Sequence, residues 1–278
     1  MSTLQAVELR KDFSLRSGFR SRTLTAVKDV SFDLSEGRTV ALVGQSGSGK
    51  STVARMIAQL EQPTSGDILL GGRPVPRHGA GLRRYRSAVQ MVFQDPFASL
   101  NSFHTVGHHL ERPVVLHGAA SGRAAVRAAV LELLERVQLS PGTDFIDRRP
   151  HELSGGQRQR VAIARALAPS PSVLIADEPV SMLDVSIRLG ILNLLAKLQR
   201  EERLAVLYIT HDLATARHFS DEVLVMFEGS VVERGKPDDV ILNPQAEFTR
   251  RLAAAAPEPA RNERFTKVAA RYAGRDRT

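Results

Sequence analysis

The segment Gly44-Gln45-Ser46-Gly47-Ser48-Gly49-Lys50-Ser51 limits what this chain can fold into more than any other. It fits the pattern G-x-x-x-x-G-K-[ST]. Its flanks agree: the apolar run Thr39–Val43 reads as a buried strand before it, and a helix is expected over Ser51–Gln59 after it. Glycines let the backbone curl closely, so that successive N–H groups point inward as an anion nest. The helix start adds unpaired N–H groups and the positive end of a dipole. Lys50 supplies a full charge for β- and γ-phosphates. Ser51 offers a hydroxyl to Mg²⁺, which prefers hard oxygen ligands. The loop on its own implies a bound nucleoside triphosphate and leaves the class of protein open.

The rest of the chain reads as alternating elements. Val30, Phe32 and Leu34 alternate with Ser31 and Asp33 as in a half-buried strand, and Ile68–Leu70 and Val89–Phe93 are further strand candidates. Ser14–Thr25 is polar and carries Arg16, Arg20 and Arg22, which suits an exposed loop or hairpin. Helical spacing takes over at Thr105–His117, Ser121–Val137 and Gln157–Leu167. Strands return at Val173–Ala176, Ala205–Ile209, Glu222–Phe227 and Val231–Glu233, with helices over Val185–Arg200 and Leu213–Phe219 between them. A strand lobe interrupted by a helical insert and then resumed implies an α/β architecture with a largely parallel core. Pro257, Pro259 and a basic run through Arg261, Arg264, Arg271, Arg275 and Arg277 read as a solvated tail.

Composition removes whole classes. Across 278 residues there is no cysteine, so disulfide scaffolds, thiolate metal sites and cysteine nucleophiles are excluded. The longest apolar runs are strand-sized, well short of the roughly 20 residues that span a bilayer. Met1–Arg10 lacks the basic-then-apolar build of a signal peptide, so a cytosolic protein is expected. The net charge of +8 suggests an anionic partner without choosing one.

Two further segments carry chemistry. Ser154 is a good helix N-cap and Gln157 falls three residues later, so Leu153-Ser154-Gly155-Gly156-Gln157 reads as a capping box. Its two glycines cost about 1 kcal/mol each in a helix, which points to a close backbone approach. Val173–Ala176 ends in Asp177 and Glu178. Asp177 can hold Mg²⁺ and Glu178 can orient an attacking water.

In that order Gly44–Ser51, Leu153–Gln157 and Val173–Glu178 resemble the Walker A, signature and Walker B motifs of ATP-binding cassette (ABC) ATPases. The resemblance spans about residues 4–255. It implies a P-loop fold with a RecA-like mixed sheet, an antiparallel β-subdomain and a helical insert. The implied divisions are residues 1–94 with 169–240, the helical unit 95–168, and a C-terminal extension 241–278. It also implies roles. Gly44 through Lys50, with Ser51 and Thr52, would bind ATP. Ser51, Gln94 of the Q-loop and Asp177 would hold Mg²⁺. Glu178 would act on water and His211 would sense the γ-phosphate. Ser154, Gly155, Gly156 and Gln157 would act on ATP held by a facing subunit, with Asp184 of the D-loop communicating across the pair. Phe13, or Phe19 in a different register, would stack on adenine.

Gln94-Asp95-Pro96-Phe97-Ala98-Ser99-Leu100-Asn101 is similar to the stretch after the Q-loop in ATPases of peptide and nickel importers. Glu178–Ser181, Leu183–Ser186 and Asn243-Pro244 also fit that branch. Ala246-Glu247-Phe248-Thr249 departs from its usual His-Pro-Tyr-Thr, and the Cys-rich C-terminal motif of some members is absent. The branch implies a second ATPase subunit, two membrane permeases that dock on the helical insert near Gln94, and an external solute-binding protein. The location implied is the cytoplasmic face of the inner membrane. No nucleic acid is expected as partner. The competing reading is a soluble cassette in a non-transport role, in phosphonate breakdown or beside nucleic acid. The span from Lys50 to Asp177 is too short for the long coiled coils of DNA-repair cassettes.

Overall fold

The computed structural model describes residues 2–17 and 20–255. The chain opens with a long hairpin, β1 (Ser2–Ser17) and β2 (Arg20–Ser35), followed by β3 (Thr39–Val43) and α1 (Lys50–Ile57). Next come β4 (Ser65–Leu70), β5 (Arg73–Pro74), α2 (Gly79–Ala88) and β6 (Val89–Val92). A helical stretch intervenes: α3 (Pro96–Ser99), α4 (Val106–Leu116), α5 (Arg123–Arg136), α6 (Thr143–Ile146) and α7 (Gly155–Leu167). Alternation then resumes with β7 (Val173–Asp177), α8 (Val185–Glu201), β8 (Ala205–Thr210), α9 (Leu213–Phe219), β9 (Glu222–Phe227) and β10 (Ser230–Gly235). Two helices, α10 (Pro237–Leu242) and α11 (Glu247–Ala255), complete the described chain.

The ten strands form one curled sheet in the order β5-β4-β1-β2-β10-β9-β3-β8-β7-β6. β9, β3, β8, β7 and β6 run parallel, whereas β1, β2, β4 and β5 pair antiparallel. The two parts meet through β10, which pairs antiparallel with β9 and touches β2 at Ser230 and Asp29. This is the expected mixed sheet with its antiparallel lobe. β3, β7 and β8 are buried at every position, which is why they read as unbroken apolar runs. Alternate side chains enter different cores. Val40 and Leu42 join the β1–β2 hairpin and α1, while Ala41 and Val43 join the helices of the other face.

Several elements match their sequence reading closely. Thr105 caps α4 by accepting from the His108 amide, and Val126, Val130, Leu133, Leu134 and Val137 all turn into the core. The helix expected over Ser51–Gln59 starts at Lys50 and stops at Ile57, because Gln59 takes a left-handed φ of 55°. The polar stretch Ser14–Thr25 is the end of the β1–β2 hairpin, with Ser14 opposite Thr23. Phe19 and the basic C-terminal run lie outside the described residues. α2 had no sequence signal, since Tyr85 is its one buried side chain and arginines occupy most of its remaining turn. No helix among the described residues is long and apolar enough to cross a membrane.

Candidate functional site

Parallel strands gather their C-terminal ends on one edge, where open α/β sheets place ligands. Four adjacent strands do so here. β3 runs into the Gly44–Ser51 loop, β8 into His211, β7 into Asp177 and Glu178, and β6 into Gln94. Residues far apart in the chain meet because their strands are neighbours.

The loop is shaped by close backbone contacts. A Cβ on Gly44 would lie 2.2 Å from the Met226 carbonyl, and one on Gly49 would lie 2.4 Å from the Ala26 carbonyl. Gly49 also has φ 104°, which L side chains rarely adopt. The β9–β10 turn braces the loop from outside, with the Gly229 amide donating to the Ser48 carbonyl at 3.0 Å. Lys50 opens α1 and is 5% exposed. Its Nζ donates to the carbonyls of Gly44 at 2.7 Å and Gln45 at 2.8 Å. Burial lowers its pKa, against the pull of Glu178 and Asp177. Ser46 is exposed at the loop tip, and Ser51 and Thr52 form the first turn of α1.

Ser51 Oγ donates to Asp177 Oδ1 at 3.3 Å. Asp177 is 7% exposed, and burial, together with the Glu178 charge, raises its pKa against the Ser51 bond, Arg55 and Lys50. Next to it, Glu178 holds a left-handed φ of 45°, a strained conformation for a side chain with a Cβ. Its amide donates to the Ile209 carbonyl at 2.9 Å, which ties this turn to β8. The Glu178 carboxylate is shared by two strand ends. Gln94 Nε2 donates to Oε2 at 3.0 Å, and His211 Nδ1 lies 3.3 Å from the same oxygen. Asp212 caps α9 behind His211 by accepting from the Ala214 and Thr215 amides. Gln94 thus meets Glu178 rather than the Ser51–Asp177 pair.

The remaining expected residues share no hydrogen bond or ion pair with this cluster among the described residues. Ser154 and Gln157 form the reciprocal capping box at the start of α7, at 3.3 Å and 2.9 Å. Among the described residues no hydrogen bond or ion pair joins Ser154, Gly155, Gly156 or Gln157 to the Gly44–Ser51 loop. Gly156 has a packing reason within the chain: a Cβ there would sit 2.6 Å from Ile187 Cγ2 of α8. Asp184 is exposed at the N-cap position of α8. Phe13 is half-buried opposite Leu24, with the Lys11 ammonium 5.0 Å from its ring. Sequence reading missed Ala26, Met226 and Gly229, whose backbone atoms brace the loop; backbone contacts leave no side-chain signature.

The nest, the Lys50 ammonium and the glycine cradle fit a polyphosphate. The buried Ser48 hydroxyl, without a hydrogen-bond partner among the described residues, adds a free polar group there. Ser51 and Asp177 are hard oxygen donors, and a divalent cation would offset the burial of the Asp177 charge.

Residues 27–181 match the family model described as ABC transporter. The chain belongs to the ABC transporter family. The cassette is 41% identical over 268 residues to the dipeptide transport ATP-binding protein DppF of Escherichia coli (strain K12), covering 95% of this chain and 79% of that protein. It is 47% identical over 265 residues to the glutathione import ATP-binding protein GsiA of Salmonella typhimurium, covering 93% of this chain. It spans 42% of the length of that relative. Among solved structures it is similar to cbiO1 from Clostridium perfringens, part of the cbiONQ complex (TM-score 0.75, 29% identity, 94% of this chain and 98% of that one). It is also similar to the dimeric cassette MJ0796 bound to ADP and Pi (TM-score 0.73, 32% identity, 84% and 98%).

Proposed function

We propose that this cassette hydrolyses ATP to power uptake of peptides or a related small solute through partner permeases. The observation that carries the reading is the convergence of Gln94 and His211 on one oxygen of Glu178, next to the Lys50 loop. Support for import comes from the likeness to DppF and GsiA, whose names state dipeptide transport and glutathione import.

In this reading the Gly44–Ser51 amides and Lys50 hold the β- and γ-phosphates, and Phe13 stacks on the base. Ser51, Asp177 and Gln94 would hold Mg²⁺, which would supply charge neutralisation on the phosphate oxygens. Glu178 orients water for attack in line with the bond that breaks, and His211 donates toward the γ-phosphate. Gln94 and His211 set the aim of the Glu178 carboxylate, whose strained backbone already points it off the strand end. Phosphoryl transfer depends mostly on such positioning.

In this reading Ser154–Gln157, which make no hydrogen bond or ion pair to the Gly44–Ser51 loop among the described residues, serve the ATP of a facing cassette. The helix start there offers open N–H groups to its γ-phosphate. Asp184, exposed beside the Glu178 turn, links the two sites. ATP then acts as the contact between two cassettes, and its hydrolysis lets them part. The permeases dock on the helices of residues 95–168, and an external binding protein delivers the solute. The cassette works at the cytoplasmic face of the membrane.

Glu178→Gln tests the reading. It retains ATP binding by calorimetry, while phosphate release falls by about 10²–10⁴-fold. Unchanged turnover would remove Glu178 from the mechanism.

A further inference from the structure

Between Ile68 and Gln94 the chain carries five arginines and one histidine, and no aspartate or glutamate. The fold gathers these charges on one surface. At about 100° per residue, Arg83, Arg84 and Arg86 point away from Tyr85, the buried side chain of α2, and all three are exposed. The segment before the helix carries Arg73, Arg77 and His78, also exposed. It lies against the first turn of α2, where a Cβ on Gly81 would be 2.7 Å from Pro76 Cγ.

The fold supplies these arginines with no counter-ion. Among the described residues no ion pair includes Arg73, Arg77, Arg83, Arg84 or Arg86. Arg83 and Arg86 stand three residues apart, so they are neighbours on the helix surface, and like charges in that relation are destabilising until an anion reaches them. Arg86 donates to the Gln59 carbonyl at 3.1 Å. The next residue in the chain is Leu60, an apolar side chain that is 55% exposed.

The charged face is also firmly held. The Tyr85 hydroxyl donates to the Ile57 carbonyl at 2.6 Å, which fastens α2 to the end of α1, the helix that starts at Lys50. Ser87 Oγ lies 2.6 Å from His117 Nδ1, which fastens the other end of α2 to the end of α4.

We propose that the outer face of α2, with the loop before it, binds the phosphates of an anionic lipid surface. Guanidinium groups pair with phosphate through two parallel hydrogen bonds. The arginines are spread over an exposed face, which matches an array of headgroups better than one inserted acidic side chain. Leu60 offers an apolar group to the interface among them. The aromatic residue of α2, Tyr85, is 2% exposed, so the helix presents no ring on which nucleic-acid bases could stack. The helix α4, to which α2 is fastened, belongs to the residues on which the importer reading docks the permeases, so the basic face borders the side turned to the membrane. The proposal rests on that reading in this last point alone.

Co-sedimentation of the full chain with vesicles tests it. The chain pellets with phosphatidylglycerol–phosphatidylcholine vesicles and stays in solution with phosphatidylcholine alone, and added salt weakens the binding. Arg83→Gln with Arg84→Gln weakens it about fivefold per residue, about 25-fold together, and leaves basal Mg²⁺-ATP turnover unchanged. Arg83→Lys with Arg84→Lys keeps more of the binding than the Gln pair does. The basic C-terminal run is a second source of charge, so Arg261→Gln, Arg264→Gln, Arg271→Gln, Arg275→Gln and Arg277→Gln are combined in a comparison variant, which loses less than the Arg83 and Arg84 pair. No pelleting with phosphatidylglycerol, a larger loss in the C-terminal variant, or tighter binding to duplex DNA than to the vesicles overturns the proposal. Absence of turnover in the unsubstituted chain would instead overturn the ATPase reading, whatever the vesicles do.

Discussion

At the level of single residues the site combines burial and strain with chemistry. Asp177 is the clearest case. Burial raises its pKa, so between the ordinary aspartate value and the raised one the folded state holds more protons than the unfolded chain. Stability therefore falls as pH rises through that window, and at neutral pH the ionised carboxylate destabilises the nucleotide-free fold. Asp177→Asn should raise the Tm of the nucleotide-free protein by about 2 °C at neutral pH, a gain that vanishes in acid below the window. The same variant should lose Mg²⁺-dependent turnover. Differential scanning fluorimetry across pH reads the first effect and phosphate release the second. A lower Tm at neutral pH would mean that the Ser51 hydrogen bond outweighs burial. Glu178 shows the companion feature: a left-handed backbone at the strand end, tolerated because its amide and carboxylate are each held by neighbouring strand ends.

Elements are joined by a few contacts whose loss has a predictable direction. α7 approaches α8 closely because residue 156 lacks a side chain. Gly156→Ala should cost about 1–3 kcal/mol in urea unfolding, since the added methyl group overlaps Ile187. Combining it with Ile187→Ala should cost less than the sum of the single changes; strict additivity would show that the two do not touch. At the other end of the chain, Glu233 of β10 accepts from the Gln245 amide at 2.8 Å and the Ala246 amide at 2.9 Å. Phe248 of α11 stacks on Phe227 at 4.2 Å. Burial raises the Glu233 pKa, yet these amides, the Thr249 hydroxyl and Arg250 together lower it by more, so the net direction is down. Its stabilising effect is therefore present above the ordinary glutamate range and lost as pH falls through the lowered value. Protection of α11 amides relative to their intrinsic exchange rate should fall in acid, and Glu233→Gln should produce about tenfold faster exchange there at neutral pH. Equal protection in both proteins would show that the Phe227–Phe248 stack suffices.

For the molecule as a whole, Ser154–Gln157 make no hydrogen bond or ion pair to the Lys50 loop among the described residues. In the proposed reading, where both segments face ATP, a second chain completes each site. Glu178→Gln, which retains ATP, should therefore run as a dimer on gel filtration with Mg²⁺-ATP, alone or with a sibling cassette, and as a monomer with ADP. A monomer under every such pairing would break the link between nucleotide and assembly. The solved MJ0796 cassette, 32% identical to this chain, is dimeric.

Local patterns were readable without coordinates. The loop Gly44–Ser51, the Ser154–Gln157 capping box, the amphipathic helices and the fully buried strands each depend on neighbours within a few residues, and short-range spacing encodes them. Three things depended on long-range packing. The pairing of β6, β7 and β8 brings Gln94 and His211 onto Glu178 although they lie in separate segments. The backbone carbonyls of Ala26 and Met226 shape the loop without a residue type to announce them. A groove lined by Arg165, which has no acidic partner among the described residues, exists only because α4 and α7 pack side by side, and a list of residues carries no record of such packing.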